Sequence, residues 1–149
     1  GDFTRGRTDQ PSFAVNEQRV AANICYEDVF GHELLPAVRH GATILANFSN
    51  LGWFGDSVAL RQHWQMARFR AIETQRPMLR STNTGMTGAI NEFGQTIAML
   101  PAMVAGYVDV QIQGRVGLTP YVRWGDYPIV LLACGILILA LFGRRRRQP

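Results

Sequence analysis

Hydrophobic and polar positions follow two different periods along the first part of the chain. Short apolar runs predict buried strands over 19–25, 43–47 and 78–82. Between them, residues 33–39 predict a short helix that Gly41 ends, and residues 57–75 predict a long helix. Ser57 is a suitable N-cap for the long helix, and Pro77 prevents it from continuing. The order strand–helix–strand–helix–strand predicts an α/β layer fold.

Beyond the third strand the pattern returns to extended segments. Residues 87–90 and 95–99 flank the sequence Asn-Glu-Phe-Gly and predict a hairpin. Residues 104–112 alternate and predict another strand, and residues 114–126 read as a linker.

The end of the chain is strongly apolar and then strongly basic. Residues 128–142 contain no charged side chain, Trp124 and Tyr127 precede them, and four arginines follow Gly143. A buried core helix is the alternative interpretation, but interfacial aromatics and a terminal arginine run favour a membrane helix over 127–143. The basic tail, 144–149, is then expected in the cytoplasm and residues 1–123 on the other side of the membrane.

Composition narrows the possible chemistry. The chain has 149 residues and begins with Gly1, which favours a fragment or a processed product. All fifteen basic residues are arginine, and the arginine run accounts for the net charge of +4, so nothing indicates a nucleic-acid-binding protein. Cys25 and Cys134 lie in such different surroundings that a disulfide is not indicated, no metal-ligand spacing is present, and we expect no cofactor.

Cys25 is the candidate nucleophile. It follows the first predicted strand, and Glu27 comes two residues later. A thiolate held at a strand end is suited to acyl transfer through a thioester, although a lone cysteine after an apolar run is more often inert core. The next two strands also end in polar segments, 47–56 and 81–85. Because such ends meet in α/β sheets, these segments predict a polar pocket.

These motifs, taken in order, resemble the apolipoprotein N-acyltransferase family within the nitrilase, or carbon-nitrogen hydrolase, superfamily. They read Ile-Cys-Tyr-Glu over 24–27, Ser-Asn-x-x-Trp-Phe-Gly over 49–55, Gln-His-x-Gln-Met-Ala-Arg over 62–68 and Arg-Pro-x-Leu-Arg-Ser-Thr-Asn-x-Gly over 76–85. The resemblance implies the C-terminal half of a nitrilase-like αββα sandwich followed by one transmembrane helix. On this basis residues 1–113 form the C-terminal part of the catalytic domain, followed by the linker over 114–126, the helix over 127–143 and the tail over 144–149.

The resemblance also assigns roles. The family uses a Glu-Lys-Cys triad in which Cys25 corresponds to the nucleophile, while the Glu and Lys precede the matched region; the absence of lysine here agrees with that. Tyr26 and Glu27 correspond to supporting residues beside the nucleophile. The expected substrate-binding residues are Asn50, Trp53, Phe54 and Asn83. Leu51 departs from the family pattern, which is often acidic there, and His63 is interpreted as structural rather than as a second base.

The activity implied is transfer of an acyl chain from a phospholipid, through a cysteine thioester, to the N-terminal amine of a diacylated apolipoprotein. The expected partners are therefore the phospholipid donor, the apolipoprotein acceptor and the membrane, with no nucleic acid. The expected location is the bacterial inner membrane, with the catalytic domain facing the periplasm. Two alternatives remain: a membrane-anchored nitrilase-type amidase, and an inactive fragment.

Overall fold

A six-stranded mixed sheet organises the protein. The structure is a computed structural model and describes residues 6–7 and 10–145, with only the backbone of 143–145. The strands are β1 (Phe13–Val15), β2 (Gln18–Ile24), β3 (Ile44–Ser49), β4 (Met78–Thr82), β5 (Thr87–Ile90) and β6 (Thr96–Leu100). Their order in the sheet is the order in the chain. The pairs β2–β3 and β3–β4 are parallel, and the other pairs are antiparallel.

Helices α1 (Gly31–Arg39) and α2 (Val58–Thr74) connect the parallel strands. Helices α3 (Pro120–Trp124) and α4 (Tyr127–Arg145) follow the last strand, and short 3₁₀ turns lie at Cys25–Val29 and Gly52–Phe54. Right-handed crossovers between neighbouring parallel strands place α1 and α2 on the same face of the sheet. The strands predicted over 19–25, 43–47 and 78–82, the helices predicted over 33–39 and 57–75 and the hairpin are confirmed, with bounds that shift by at most two residues.

The bounds of α2 follow from local backbone chemistry. Ser57 is extended and precedes the first helical residue, and Gln75 adopts the left-handed conformation (φ 50°) just after the last. The N–H of Gln75 donates to the carbonyls of Ala71 and Ile72, which leaves fewer unpaired groups at the helix end. Pro77 then begins the path into β4, so the helix cannot continue.

The apolar core lies between the sheet and the helices. It is formed by side chains with almost no exposed surface from both layers: Leu35, Val38, Leu45, Ala67, Ala71, Met78, Ile90 and Val122. The opposite face of the sheet is more open, since Ile24 and Phe48 are about half exposed. The predicted α/β layer fold is confirmed for the part of the chain that the structure describes.

The prediction of a strand over 104–112 is wrong. This segment runs across the open face of the sheet, where Tyr107 and Val108 line a cavity of about 330 Å³ together with Phe48 and Ser81. Period-two alternation is not sufficient for a strand, because a strand also needs a free sheet edge in register. Strand β1, which pairs with β2, had not been predicted.

The segment predicted as a linker is attached to the core at several points. The N–H of Arg115 donates to the carbonyl of Thr43, and the buried guanidinium of Arg76 donates to the carbonyls of Ala42 and Gly117. Helix α3 then buries Val122 completely.

Helix α4 is apolar and exposed. Its described side chains from Ile129 to Phe142 include many apolar groups with more than half of their surface accessible, such as Leu131 and Leu139. Among the described residues, no helix combines the length and hydropathy needed to cross a membrane, so the predicted span over 127–143 is not confirmed. The predicted basic tail, 144–149, lies outside the described residues apart from the backbone of 144 and 145.

Candidate active site

Cys25 occupies the first position of the turn Cys25–Val29, hereafter the Cys25 turn. Its φ of 51° lies in the left-handed region, which residues other than glycine adopt uncommonly and which recurs at functional sites. The thiol is half-buried, and Sγ lies 4.0 Å from the backbone carbonyl oxygen of Asn50. The reversal of the chain directly after β2 therefore brings the thiol to the carboxyl edge of the parallel strands, where ligand sites of α/β sheets are found.

A row of buried polar side chains lies behind the Cys25 turn. Asn23 on β2, Asn47 on β3 and Arg80 on β4 are direct neighbours across the sheet, and each is at most 3% exposed. Asn47 Nδ2 donates to the side chain of Asn23 (2.5 Å) and to the backbone carbonyl of Cys25 (3.0 Å). Asn47 Oδ1 accepts from the hydroxyl of Ser49 (2.5 Å). Asn47 thus holds the backbone carbonyl of Cys25, the candidate nucleophile, in place.

Charged groups continue this row. Asp28, the fourth residue of the Cys25 turn, is fully buried, and its Oδ2 accepts from Arg80 Nη1 at 2.6 Å. Its Oδ1 lies 2.8 Å from Nε2 of His63 on α2. Arg80 also reaches back to His63, with Nη2 2.8 Å from Nδ1 and Nη1 donating to the His63 carbonyl at 3.0 Å. Asp28, His63 and Arg80 therefore form a closed triangle, which we call the buried triangle.

Burial and charge act in opposite directions on Arg80. Burial lowers the pKa of this guanidinium because the charged form loses its hydration, whereas Asp28, and to a smaller extent Cys25, raise it. Arginine retains its proton in proteins, so the triangle contains a cation directly opposed by a carboxylate. A buried cation without such a partner is strongly unfavourable.

The two predicted asparagines contact each other. Asn83 Nδ2 donates to Asn50 Oδ1 at 2.7 Å, and Asn83 Oδ1 accepts from the N–H of Leu51 at 2.8 Å. Asn50 Oδ1 also accepts from the N–H of Gly52 (3.1 Å). These bonds shape the loop after β3, whose Asn50 carbonyl faces the thiol. Their substrate-binding role stays a prediction, and the contacts described here brace the loop.

The aromatic residues predicted near the site are accessible. Trp53 is 85% exposed, Phe54 and Tyr26 are about half exposed, and the ring of Tyr26 makes an edge contact with Phe30 at 5.7 Å. Glu27 Oε2 accepts from the N–H of Ile24 at 2.6 Å. This bond ties the Glu27 side chain to the backbone just before Cys25. The function of Glu27 as a supporting carboxylate stays a prediction.

Sequence reasoning did not find the polar layer below the nucleophile. Asn23 and Asn47 stand inside runs that read as apolar strands, and an amide in such a run was the signal for a buried hydrogen-bonding role. Asp28 had no separate signal, because it lies in a segment read only for Cys25 and its neighbours. Ordinary pairing with a carboxylate was the expectation for Arg80, and the structure shows that pairing with Asp28, in the interior.

Comparison with known proteins decides the family. The sequence matches the family described as carbon-nitrogen hydrolase over residues 3–121. The chain belongs to the carbon-nitrogen hydrolase family. This confirms the nitrilase-like resemblance over the larger part of the sequence. The matched range contains the candidate site residues, whose roles stay predictions.

Curated relatives extend the comparison. Over its full length the chain is 56% identical to a protein of Bordetella bronchiseptica named apolipoprotein N-acyltransferase. A protein of the same name from Ralstonia nicotianae is 50% identical and covers 99% of the chain. The predicted resemblance to this group is confirmed. The chain spans 28% of the length of each of these two relatives.

Solved structures of carbon-nitrogen hydrolase proteins share the fold. A carbon-nitrogen hydrolase from Helicobacter pylori gives a TM-score of 0.60 at 14% identity, covering 67% of this chain and 42% of that one. An amidase from Nesterenkonia sp. AN1 gives 0.58 at 17% identity, covering 67% and 41%. These similarities confirm a nitrilase-like α/β fold.

Proposed function

We propose that the chain is part of an N-acyltransferase that moves an acyl chain from a phospholipid to the N-terminal amine of a diacylated apolipoprotein. The observation that supports this most is Cys25 itself: a thiol in a left-handed turn at the meeting point of three strand ends. The names of relatives at 50% identity or more supply the substrate class. The proposal concerns the complete protein, because the chain spans only part of those relatives.

The proposed reaction has two steps. The Cys25 thiolate attacks the ester carbonyl of the phospholipid, a C–S bond forms, the ester C–O bond breaks, and the leaving alcohol takes up a proton. The amine of the acceptor then attacks the thioester, the C–S bond breaks, an amide forms, and the thiol regains its proton. During each step a negative charge develops on the carbonyl oxygen, and the backbone N–H of Tyr26 is our candidate donor to it.

The general base and the second oxyanion donor come from elsewhere in the complete protein. The chain contains no lysine, so a lysine cation is not available within it. Glu27 is a poor candidate for the base because its carboxylate is already bonded to the N–H of Ile24. Cys25 therefore supplies the nucleophile, with Tyr26 and Glu27 as local support.

A membrane location belongs to the same proposal. The apolar side chains of α4 are exposed, and Trp53 and Phe54 are accessible in the loop whose Asn50 carbonyl faces the thiol, as a site for acyl chains requires. Residues 1–123 then face the periplasm and the arginine run faces the cytoplasm. A C-terminal alkaline phosphatase fusion, which is active only in the periplasm, is expected to be inactive, and strong activity would contradict this topology.

Substitution of Cys25 tests the activity. In the complete protein, Cys25→Ser is expected to abolish transfer from radiolabelled phospholipid to a diacylated lipopeptide, because an alcohol is a far poorer nucleophile than a thiolate. Cys134→Ser is the matched control and is expected to retain wild-type activity. Mass spectrometry of the wild type with phospholipid alone is expected to show the acyl chain on Cys25. Undiminished transfer by Cys25→Ser would refute the proposal, and hydrolysis of small amides without lipid transfer would favour the amidase.

A further inference from the structure

Helix α2 holds the Cys25 turn at two points. His63 approaches the side chain of Asp28 at 2.8 Å, and Arg70 Nη1 donates to the carbonyl of Val29, the last residue of the turn, at 3.1 Å. His63 and Arg70 are seven residues apart, which is about two helical turns, so both project from the same side of α2. The turn that carries the thiol is thus attached to a long helix as well as to the sheet.

The contacts of His63 indicate which ring nitrogen carries the proton. Arg80 can only donate, so His63 Nδ1, 2.8 Å from Nη2, must be an acceptor. The ring proton is then on Nε2, which faces the Asp28 carboxylate. Nδ1 is paired with Arg80, Nε2 lies against Asp28 at 2.8 Å, and the residue is only 6% exposed, so the ring is held between these two side chains and away from solvent. A second proton on Nδ1 would point directly at the guanidinium.

We propose that His63 is a positioning residue for the nucleophile, acting as a bridge whose Nδ1 pairs with Arg80 and whose Nε2 contacts Asp28. Arg80 is fixed in β4, and Asp28 is three residues from Cys25 in the same turn. The bridge links the turn to α2 and the sheet together, so it limits rotation of the turn and keeps the thiol at the strand edge. The inference rests on the proposed function only in taking Cys25 as the nucleophile.

The length and polarity of the side chain at position 63 separate this role from others. Glutamine can place its amide N–H toward Asp28 and its oxygen toward Arg80, but it cannot exchange a ring proton. Asparagine carries the same amide on a shorter side chain, which does not reach both partners. Leucine removes the polar contacts. We therefore compare His63→Gln, His63→Asn and His63→Leu in the complete enzyme, with Trp64→Phe as control because Trp64 is equally buried beside His63 and contacts Thr96 instead.

The readout is acylation of Cys25 by p-nitrophenyl butyrate, followed as the single-turnover burst of p-nitrophenolate over a range of ester concentrations. His63→Leu and His63→Asn are expected to slow the saturating rate about 10²-fold, as a misplacement of about 1 Å can do. His63→Gln is expected to stay within about tenfold of the wild type on the same scale. Trp64→Phe is expected to leave the rate unchanged. Circular dichroism of each variant establishes that the secondary structure is retained.

Several outcomes would overturn the inference. His63→Gln as slow as His63→Leu, with folding retained, would show that a titrating ring is required. Wild-type rates in all three variants would show that the bridge does not position the thiol, and absence of any burst in the wild type would remove the nucleophile itself. Should His63→Leu not fold, the comparison of His63→Gln with His63→Asn decides. An ester burst without transfer from phospholipid would refute the proposed function while the pattern of variants still supports the positioning role.

Discussion

Removing the charge of Asp28 is expected to destabilise the buried triangle that lies behind the Cys25 turn. In Asp28→Asn the side chain keeps its shape, but the Arg80 cation, 3% exposed, loses its counter-ion. Breaking one partner of a buried pair costs about 3–5 kcal/mol, because the remaining charge is left uncompensated. The carbonyl of His63 and its Nδ1 still accept from Arg80, so the lower part of this range is the better expectation.

Hydrogen–deuterium exchange of the complete protein measures this change where it occurs. Peptides from α2 and β4 exchange through opening of the buried triangle, and each 1.4 kcal/mol of lost opening free energy accelerates exchange about tenfold. Asp28→Asn is therefore expected to accelerate exchange in these peptides by roughly 10²- to 10³-fold, with little change in the β5–β6 hairpin.

A double variant provides the control for this argument. When Asp28→Asn is combined with Arg80→Gln, neither member of this pair is left with an uncompensated charge, so exchange is expected to return at least halfway to the wild-type rate on a logarithmic scale. The two substitutions contact each other, so strong non-additivity is the expected signature. Unchanged exchange in Asp28→Asn, or additive losses in the double variant, would refute the view that charge compensation stabilises this layer.

Three further predictions concern other parts of the chain. Burial raises the pKa of Glu73, with Arg70 opposing, so the folded state binds this proton more tightly than the unfolded state does. The stability of the wild type relative to Glu73→Gln should therefore be greatest below the usual pKa of 4.5 and fall as pH rises through the raised pKa. A stability difference that does not change with pH in thermal melts would contradict this. In Gly88→Ala the new Cβ would meet the carbonyl oxygen of Ala98 in β6, so a loss of about 2 kcal/mol in unfolding free energy is expected. Gly135→Ala, inside α4 and with no atom near its Cβ position, should cause no loss in the same denaturation assay, because alanine favours the helix. The 149-residue chain alone, which has no lysine, should transfer acyl chains at least about 10²–10³-fold more slowly than the complete protein, and equal rates would show that its site is self-sufficient.

The sequence predicted the elements around the site well, because their signals are local. Helix α2 has its N-cap and its terminating proline in the sequence, and its apolar positions recur at helical spacing. The strand–turn junction at Cys25 was equally visible, since a thiol and a carboxylate directly follow an apolar run. The hairpin β5–β6 was identified from its Asn-Glu-Phe-Gly turn.

The parts that were not predicted depend on contacts between distant segments. Asp28 and Arg80 are 52 positions apart, and nothing in either local sequence indicates that they meet in the interior. The alternation over 104–112 indicated a strand, but whether such a segment pairs depends on the sheet edge available to it. The roles of Asn50 and Asn83 were assigned by resemblance, whereas their mutual hydrogen bond is visible only in the folded loop.

The sequential order of the sheet has a consequence for how the chain acquires its structure. Every strand pairs with the strand that precedes or follows it, so each new strand emerging during synthesis finds its partner already made. Loops between partners are short or contain a single helix, which keeps the entropy of closure low. The sheet can therefore grow strand by strand in the direction of translation, and β4 is the step at which Arg80 first meets Asp28. Before that step the thiol is already present but Asp28 has no cationic partner, so the buried triangle is assembled only after residue 80 has been added.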